Sequence, residues 1–447
     1  MDSIGVRFAG ESIVMIGFLG LSHLGLHSSL AAAAKSKEKV IAYDPDGALC
    51  ERLKKGELSV FEPGLQELLK SVSSRIEFTS DLSKLSQCSL LYLAPDTPTN
   101  DENKPDFSVL NALFESVLAH LSVDATLVVL SQIAPGTSRA FLAKLTQNPR
   151  YHKQKIYHQV ETLIFGDAVN RAMNPERFIV GCEDAEAELP LPFAHFLAAF
   201  GCPVFKMNYE SAELAKMSIN LCIAATLSTA NSLAELCEKI NADWKQIEPV
   251  LRADRRIGPH AYLGAGLGIA GGNIERDMEA VKGLAAEWGT DGKVVESFLT
   301  NSRHRQNWAI KAVHEELENV DSQAVIAVWG LAYKADTHST KNSPAVSLLR
   351  DLKSFSARIY DPKAILDKKE FPNAAQTSSA LEACRGAHLL ILMTPWKEFS
   401  LVSLARVREE LAGKTVLDPF GVLDEKQCAK LGFHYRRLGT NKKETRS

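Results

Sequence analysis

An apolar run that ends in a glycine-punctuated turn and reopens as a helix constrains this chain more than any other feature. Ile13–Leu19 is such a run; it passes into Gly20-Leu21-Ser22-His23-Leu24-Gly25 and then into the alanine-rich Ala31–Ala34. A second apolar run, Val40–Tyr43, follows and stops at Asp44. Strand, tight turn, helix and strand form the unit from which parallel sheets are wound. Gly20, Ser22 and Gly25 have the spacing at which small residues close the turn, admit a pyrophosphate to the backbone and let helix meet sheet, with a serine in the middle place. Asp44 stands 24 residues beyond Gly20, where a carboxylate accepts ribose hydroxyls and repels a 2′-phosphate. The pattern predicts an NAD site, in preference to NADP, built around Gly20, Ser22, His23, Leu24, Gly25 and Asp44. A bare strand-to-helix turn uses the same glycines, so the flanking strand, helix and acid carry the reading.

The alternation continues. Ser89–Leu93 and Ala125–Leu130 read as further strands, so residues 1–205 are expected to form a doubly wound α/β domain of Rossmann type. From Glu210 to Glu248 there is neither Gly nor Pro, and Leu214, Met217, Leu221, Ala225, Leu233 and Leu236 recur at helical spacing. That predicts one long helix, with a second after Ala242. Its apolar residues occupy more than one face, which suits a homodimer contact. The glycine-dense loop Gly258 to Gly272 leads into a helix read over Met278–Trp288, and residues 206–310 are expected to be a helical middle. The first pattern then restarts: strand Ala324–Val328, helix Ser343–Phe355, strand Ala357–Tyr360, and strands at His388–Met393 and Thr415–Leu417. Residues 311–447 are expected to form a second Rossmann-like α/β domain.

Composition excludes several classes of function. With 447 residues, 45% hydrophobic, 23% charged and a net charge of -3, the chain lacks the basic excess that neutralises a phosphate backbone, and no nucleic-acid partner is expected. The eight cysteines are scattered without a CxxC pair; they are read as reduced thiols, and no metal site is assigned. Met1 to Ser12 lacks the order of a secretory signal, and no apolar run nears the roughly 18 residues of a membrane span. The expectation is a cytoplasmic protein with no membrane partner and a polar tail from Asn441 to Ser447.

Longer motifs then converge in order along nearly the whole chain. GLSHLGL at the first turn, TPT at Thr97–Thr99, SQIAPGT at Ser131–Thr137 and AELAKMSIN at Ala212–Asn220 are followed by RRIGPHAYLGAGLGIAGGNIERD at Arg255–Asp277, WGLAYKADTHSTKNSP at Trp329–Pro344 and YDP at Tyr360–Pro362. This series resembles the UDP-glucose and GDP-mannose dehydrogenase family. The resemblance implies an N-terminal NAD-binding domain, a helical dimer-forming centre and a C-terminal nucleotide-sugar domain, and oxidation of sugar carbon 6 from alcohol to acid with two NAD. It adds Thr97, Ser131, Gln132 and Lys341 to the cofactor-binding set, and assigns substrate contacts to Arg256, Tyr262, Gly266, Gly268, Tyr333 and Lys334. Lys216 and Asn220 lie four apart on the long helix and share a face; in the family the matching pair stabilises an alkoxide and orients water or substrate. The resemblance also puts Glu161 at a position implicated in handling water, and matches Asp277 to an acid that lies close to that lysine in the family.

The departures from the pattern matter as much. The family carries a Cys after the glycine loop that attacks the aldehyde and passes through a thioester. Here Asn273 takes that place, and an amide is no such nucleophile. Cys222, two residues past Asn220, points about 200° away on a helix. Gln132 replaces a Thr, Phe165 a Glu, Arg276 a Lys, Ser339 an Asp and Lys341 an Arg, while Phe420 interrupts a later motif. The expected function is an NAD-dependent nucleotide-sugar dehydrogenase without the covalent step; the alternatives are a catalytically silent relative that holds the same ligands, or a different sugar or hydroxyacid dehydrogenase.

Overall fold

Short runs of Val, Ile, Leu and Phe, buried on both faces, build the central strands of each sheet, as a mostly parallel sheet with helices on each side requires. The computed structural model describes residues 15–58, 60, 62–99, 105–318, 324–352 and 355–440. The expectations for Met1 to Ser12 and for the tail from Asn441 lie outside these residues. The chain divides into two compact units, Met1–Lys216 and Met217–Ser447.

The first unit holds an eight-stranded sheet of β1 (Met15–Leu19), β2 (Lys39–Tyr43), β3 (Ile76–Thr79), β4 (Leu90–Leu93), β5 (Thr126–Val129), β6 (Ile156–Gln159), β7 (Phe178–Cys182) and β8 (Val204–Asn208). Its spatial order is β3-β2-β1-β4-β5-β6-β7-β8, parallel except for the β6–β7 pair. The order reverses between β1 and β4, and in such sheets a ligand crevice opens beyond the carboxyl ends of the strands at the reversal. Gly20, Asp44, Thr97 and Ser131 all follow those ends. Two apolar layers cover the sheet, one around Phe18, Tyr92 and Phe193, the other around Leu91, Phe114 and Phe141.

The uninterrupted stretch expected to be helical is a 32-residue helix, Tyr209–Ile240, followed by Trp244–Ala253. In the first unit, the fully buried Glu213 accepts hydrogen bonds from the Gly136 and Ser138 N–H groups at 2.6 and 2.8 Å. It thereby caps the helix Thr137–Thr146, whose own N-cap, Gly136, has no side chain with which to do so.

In the second unit, the helices pack with a six-stranded parallel sheet of β9 (Val325–Trp329), β10 (Ser356–Tyr360), β11 (Ala374–Gln376), β12 (Leu389–Leu392), β13 (Thr415–Leu417) and β14 (His434–Arg436), ordered β11-β10-β9-β12-β13-β14. Arg437 donates to both carboxylate oxygens of Asp243 at 2.8 and 2.7 Å, and the Trp244 N–H donates to the Gly439 carbonyl at 2.9 Å. The helix read from Met278 starts earlier, at Asn273: Gly271, at φ 83°, ends the loop, and Asn273, Ile274 and Glu275 form the first turn. The helix read over Ser343–Phe355 is Pro344–Asp351, with Ser343 capping Ala345 and proline in the first helical position. Among the described residues no helix is long and apolar enough to cross a membrane.

Glu316 fastens the helix Lys293–Leu317 to the last strand, accepting from His434 at 3.0 Å and Arg436 at 2.9 Å. Burial by itself would raise its carboxyl, but these two donors hold it down to about 2 from an ordinary 4.5. A carboxyl depressed on folding contributes stability above its ordinary value and loses it as pH falls toward the folded value. Glu316→Gln is therefore expected to lower unfolding free energy at pH 7 by about 2–3 kcal/mol, and to remove part of the wild-type loss of stability between pH 4.5 and 2. Urea denaturation across that range reads both effects.

Candidate active site

The phosphate-type turn is closed to a degree only glycine allows. Gly20 has φ 90°, and a Cβ there would lie 2.9 Å from the Pro95 nitrogen; at Gly25 it would lie 1.7 Å from the Gly20 carbonyl oxygen. Helix His23–Lys35 thus starts directly against the end of β1. Asp44 faces the turn across the strand ends. Its carboxylate accepts the Leu21 N–H at 2.7 Å and the Asp46 N–H at 2.9 Å, and the side chain remains partly exposed. Each oxygen keeps a lone pair for a ribose hydroxyl. Ser131 donates to the Pro95 carbonyl at 2.5 Å and Thr97 to the Gln132 carbonyl at 3.0 Å, tying together the loops beyond β4 and β5. These residues fit NAD: a glycine turn at a helix N-terminus for the pyrophosphate and an acid at the next strand end for the ribose.

Ser22 is accommodated for a reason the sequence does not display. Its hydroxyl accepts the Asp96 N–H at 2.7 Å instead of capping its own helix. The Asp96 carboxylate in turn faces the Leu24 N–H and the Ser22 hydroxyl, the donors a pyrophosphate would use. Asp96 was missed by motif reading; the acid beside Thr97 was its only signal.

Lys216 and Glu161, both read as site residues, meet in the first unit. Lys216 Nζ lies 2.8 Å from Glu161 Oε1 and donates to the Glu161 carbonyl at 3.0 Å, and the two side chains are 15% and 13% exposed. The Leu163 N–H fixes the other carboxylate oxygen at 2.9 Å. A positive charge is therefore held in place at low exposure.

Asn220 and Asp277 meet in the second unit. Asn220 Nδ2 donates to Asp277 Oδ2 at 2.6 Å and Arg276 Nε to Oδ1 at 3.2 Å, with the Asp277 side chain 1% exposed. Asn273, one turn before Asp277, is the first residue of its helix and is exposed. Of the eight thiols, only Cys222 is exposed.

The glycine loop is shaped rather than slack. Gly266 donates to Asn231 at 2.8 Å, and Gly268, at φ 78°, sits where a Cβ would come 2.5 Å from the Ser302 carbonyl. Gly271 lies under the Tyr333 ring, where a Cβ would approach to 2.7 Å. Asn342 bridges the Gly271 carbonyl and Glu275. Burial pushes Glu275 up to about 7, against the pull of Asn342, so this carboxyl titrates near neutrality. Glu275, Asn342 and Asn231 all escaped sequence reasoning. Lys334 lies 5.8 Å from the centre of the Tyr333 ring, and Lys341 is half-buried in the same loop. Arg256 and Tyr262 are at the surface, with the Arg256 guanidinium paired to its neighbour Asp254 at 2.7 Å.

If the turn binds a pyrophosphate, Asp96 competes for its donors. Asp96→Gly is expected to tighten NAD binding by roughly two- to tenfold, the worth of one charge at a helix end. Calorimetry checks this; weaker binding would show that Asp96 supports the cofactor.

Family models agree with this arrangement. The NAD-binding domain of the UDP-glucose/GDP-mannose dehydrogenase family matches residues 14–195, its central domain 210–303 and its UDP-binding domain 327–425. The UDP-glucose 6-dehydrogenase of Rickettsia typhi is 26% identical over 434 residues, covering 95% of this chain and 99% of its own. UDP-glucose 6-dehydrogenase TuaD of Bacillus subtilis is 25% identical, over 95% of this chain and 93% of its own. A UDP-glucose dehydrogenase from Pyrobaculum islandicum shares the fold with a TM-score of 0.83 at 23% identity, over 97% of this chain and 99% of that one. The chain belongs to the UDP-glucose/GDP-mannose dehydrogenase family, NAD-dependent enzymes that act on the CH–OH group of a nucleotide sugar.

Proposed function

We propose that this protein oxidises a UDP-hexose-like nucleotide sugar at carbon 6 without a covalent thiol step. In this reading residues 1–205 hold NAD, 206–310 supply the glycine loop and dimer contacts, and 311–447 hold the nucleotide. The observation that carries it is the restrained ammonium of Lys216, combined with an amide at Asn273. An ammonium has three N–H bonds, and Glu161 takes two of them. The third is available to an alkoxide as it forms on the substrate. NAD, when bound, takes the hydride from the carbon that is oxidised. The hydroxyl proton leaves through water to Glu161 or Asp277, both anchored carboxylates.

Asn273 cannot form the thiohemiacetal that a thiolate forms. Oxidation then stops at the aldehyde or proceeds on its hydrate, with water activated by Glu161 or Asp277. The same amide favours a second reading, a relative that binds both ligands and turns over neither. One variant separates the two: Lys216→Ala is expected to lower turnover by roughly a hundredfold or more while leaving NAD affinity nearly unchanged. No NADH from the wild type with any nucleotide sugar, despite calorimetric binding of both ligands, would establish the silent reading.

We further propose a cytoplasmic homodimer. Leu233, Leu236 and Ile240 form a stripe on the long helix, 41%, 50% and 63% exposed. Their three- and four-residue spacing puts them on one face. Light scattering at micromolar concentration is expected to give twice the chain mass, and Leu236→Lys to give the monomer; a monomeric wild type contradicts the proposal.

A further inference from the structure

At the start of the helix His23–Lys35, His23, which also belongs to the turn read as the NAD site, converges with two side chains that the proposed reaction does not use, His27 and Glu62. His23 and His27 are one turn apart, so they share a face, and their ring centres are 4.2 Å apart. Glu62 reaches them from another segment, its Oε1 3.1 Å from His23 Nε2. One ligand atom from each of the three lies within 4.8 Å of the other two. The His27 residue is 0% exposed, and the side chains of Glu62 and His23 are 2% and 12% exposed.

The hydrogen bonding of His27 fixes its tautomer. Nδ1 sits 2.6 Å from the His23 carbonyl oxygen, which only accepts, so Nδ1 carries the proton. In the neutral ring Nε2 is then a bare lone pair. It is buried, and no described residue offers it a hydrogen. An acceptor left so costs roughly 1–3 kcal/mol. An Nδ1–H bond to a backbone carbonyl is also the outer contact by which metal-binding histidines are commonly oriented. Glu62 is prearranged as well, since the Gly166 N–H donates to its two oxygens at 2.8 and 3.0 Å.

We propose that His23, His27 and Glu62 form a binding site for a divalent transition-metal ion of the zinc class. Two imidazoles and one carboxylate are a zinc-type donor set that leaves a fourth tetrahedral position open. Magnesium and calcium, which take oxygen ligands, are excluded by the nitrogen donors. Without metal, a proton between His23 Nε2 and Glu62 holds these atoms together. The cation takes the place of that proton, which passes to His23 Nδ1 when the ring is neutral and to solvent when the ring is an imidazolium, so both histidines bind as neutral ligands. No redox change is involved. The two histidines lie on the helix that begins the cofactor turn, so the ion pins that helix to the segment bearing Glu62.

The test uses the full chain, stripped with a chelator and titrated with zinc by calorimetry. The expected result is one ion per chain at this site and no binding of magnesium. His27→Gln and Glu62→Gln are each expected to weaken zinc by more than the roughly 10–100-fold that losing an outer-shell partner costs. Zinc should raise the melting temperature of the wild type far more than that of either variant. X-ray absorption on the zinc-loaded wild type keeps the test independent of variant folding: nitrogen and oxygen neighbours with imidazole scattering are expected. Sulfur in the first shell would place the ion on a cysteine and overturn the proposal, as would equal affinity in folded variants or no binding at micromolar zinc.

Discussion

One contact recurs at the heart of both sheets, and the rest of the molecule is arranged around it: a carboxylate at the end of one strand takes the backbone N–H just past the glycine that ends the neighbouring strand. Asp44 holds Leu21 beyond Gly20, and Asp361 holds Leu331 and Ala332 beyond Gly330. Each bond fixes a left-handed glycine turn, which sets where the next segment of chain can begin. The two copies differ in what is left over. Asp361 is 5% exposed and is further committed to the Lys363 and Ala364 N–H groups and to the Trp396 indole. Asp44 has two backbone donors and stands partly in solvent. The same device is closed in the second sheet and open to ribose hydroxyls in the first.

The charged groups of the candidate site are restrained in a similar way, by neighbours rather than by water. Glu161 holds Lys216 through both its side chain and its carbonyl, while Asn220 and Arg276 divide the two oxygens of Asp277 between them. Restrained charges at low exposure interact more strongly with a developing charge than solvated ones do, and they need no reorganisation when it appears. The proposed chemistry joins these restrained charges with an amide, Asn273, at the place where the family resemblance puts a thiol. In the proposed reading that amide closes the covalent route, and catalysis rests on the electrostatic one.

Much of this was legible in the residues. The runs that became β1, β2, β4, β5, β9, β12 and β13 are nearly unbroken in apolar residues, as strands covered on both faces must be, whereas the mixed run of β10 is legible from its place in the restarted pattern. β3 and β14 were not read, because Ile76-Glu77-Phe78-Thr79 and His434-Tyr435-Arg436 are short and mixed in polarity. β8 has mostly exposed residues and carries no core signal at all. The helix beginning at Asn273 was placed too late because its first turn follows two glycines and reads as loop. The motifs single out Glu161 and Lys216 as candidates, yet their contact spans 55 residues and no spacing rule foretells it. Asp96, Glu62 and Glu275 were missed for the same reason: each matters through a partner that only the fold supplies.

The claim that most distinguishes this account is oxidation without a covalent intermediate. It is tested most directly by intact-protein mass spectrometry on wild-type enzyme, acid-quenched during turnover with NAD and UDP-glucose while NADH is followed in the same sample. The account predicts NADH formation with the protein mass unchanged at every time point. A sugar adduct accumulating on the wild-type chain would contradict it, because it would require a nucleophile that Asn273 cannot be.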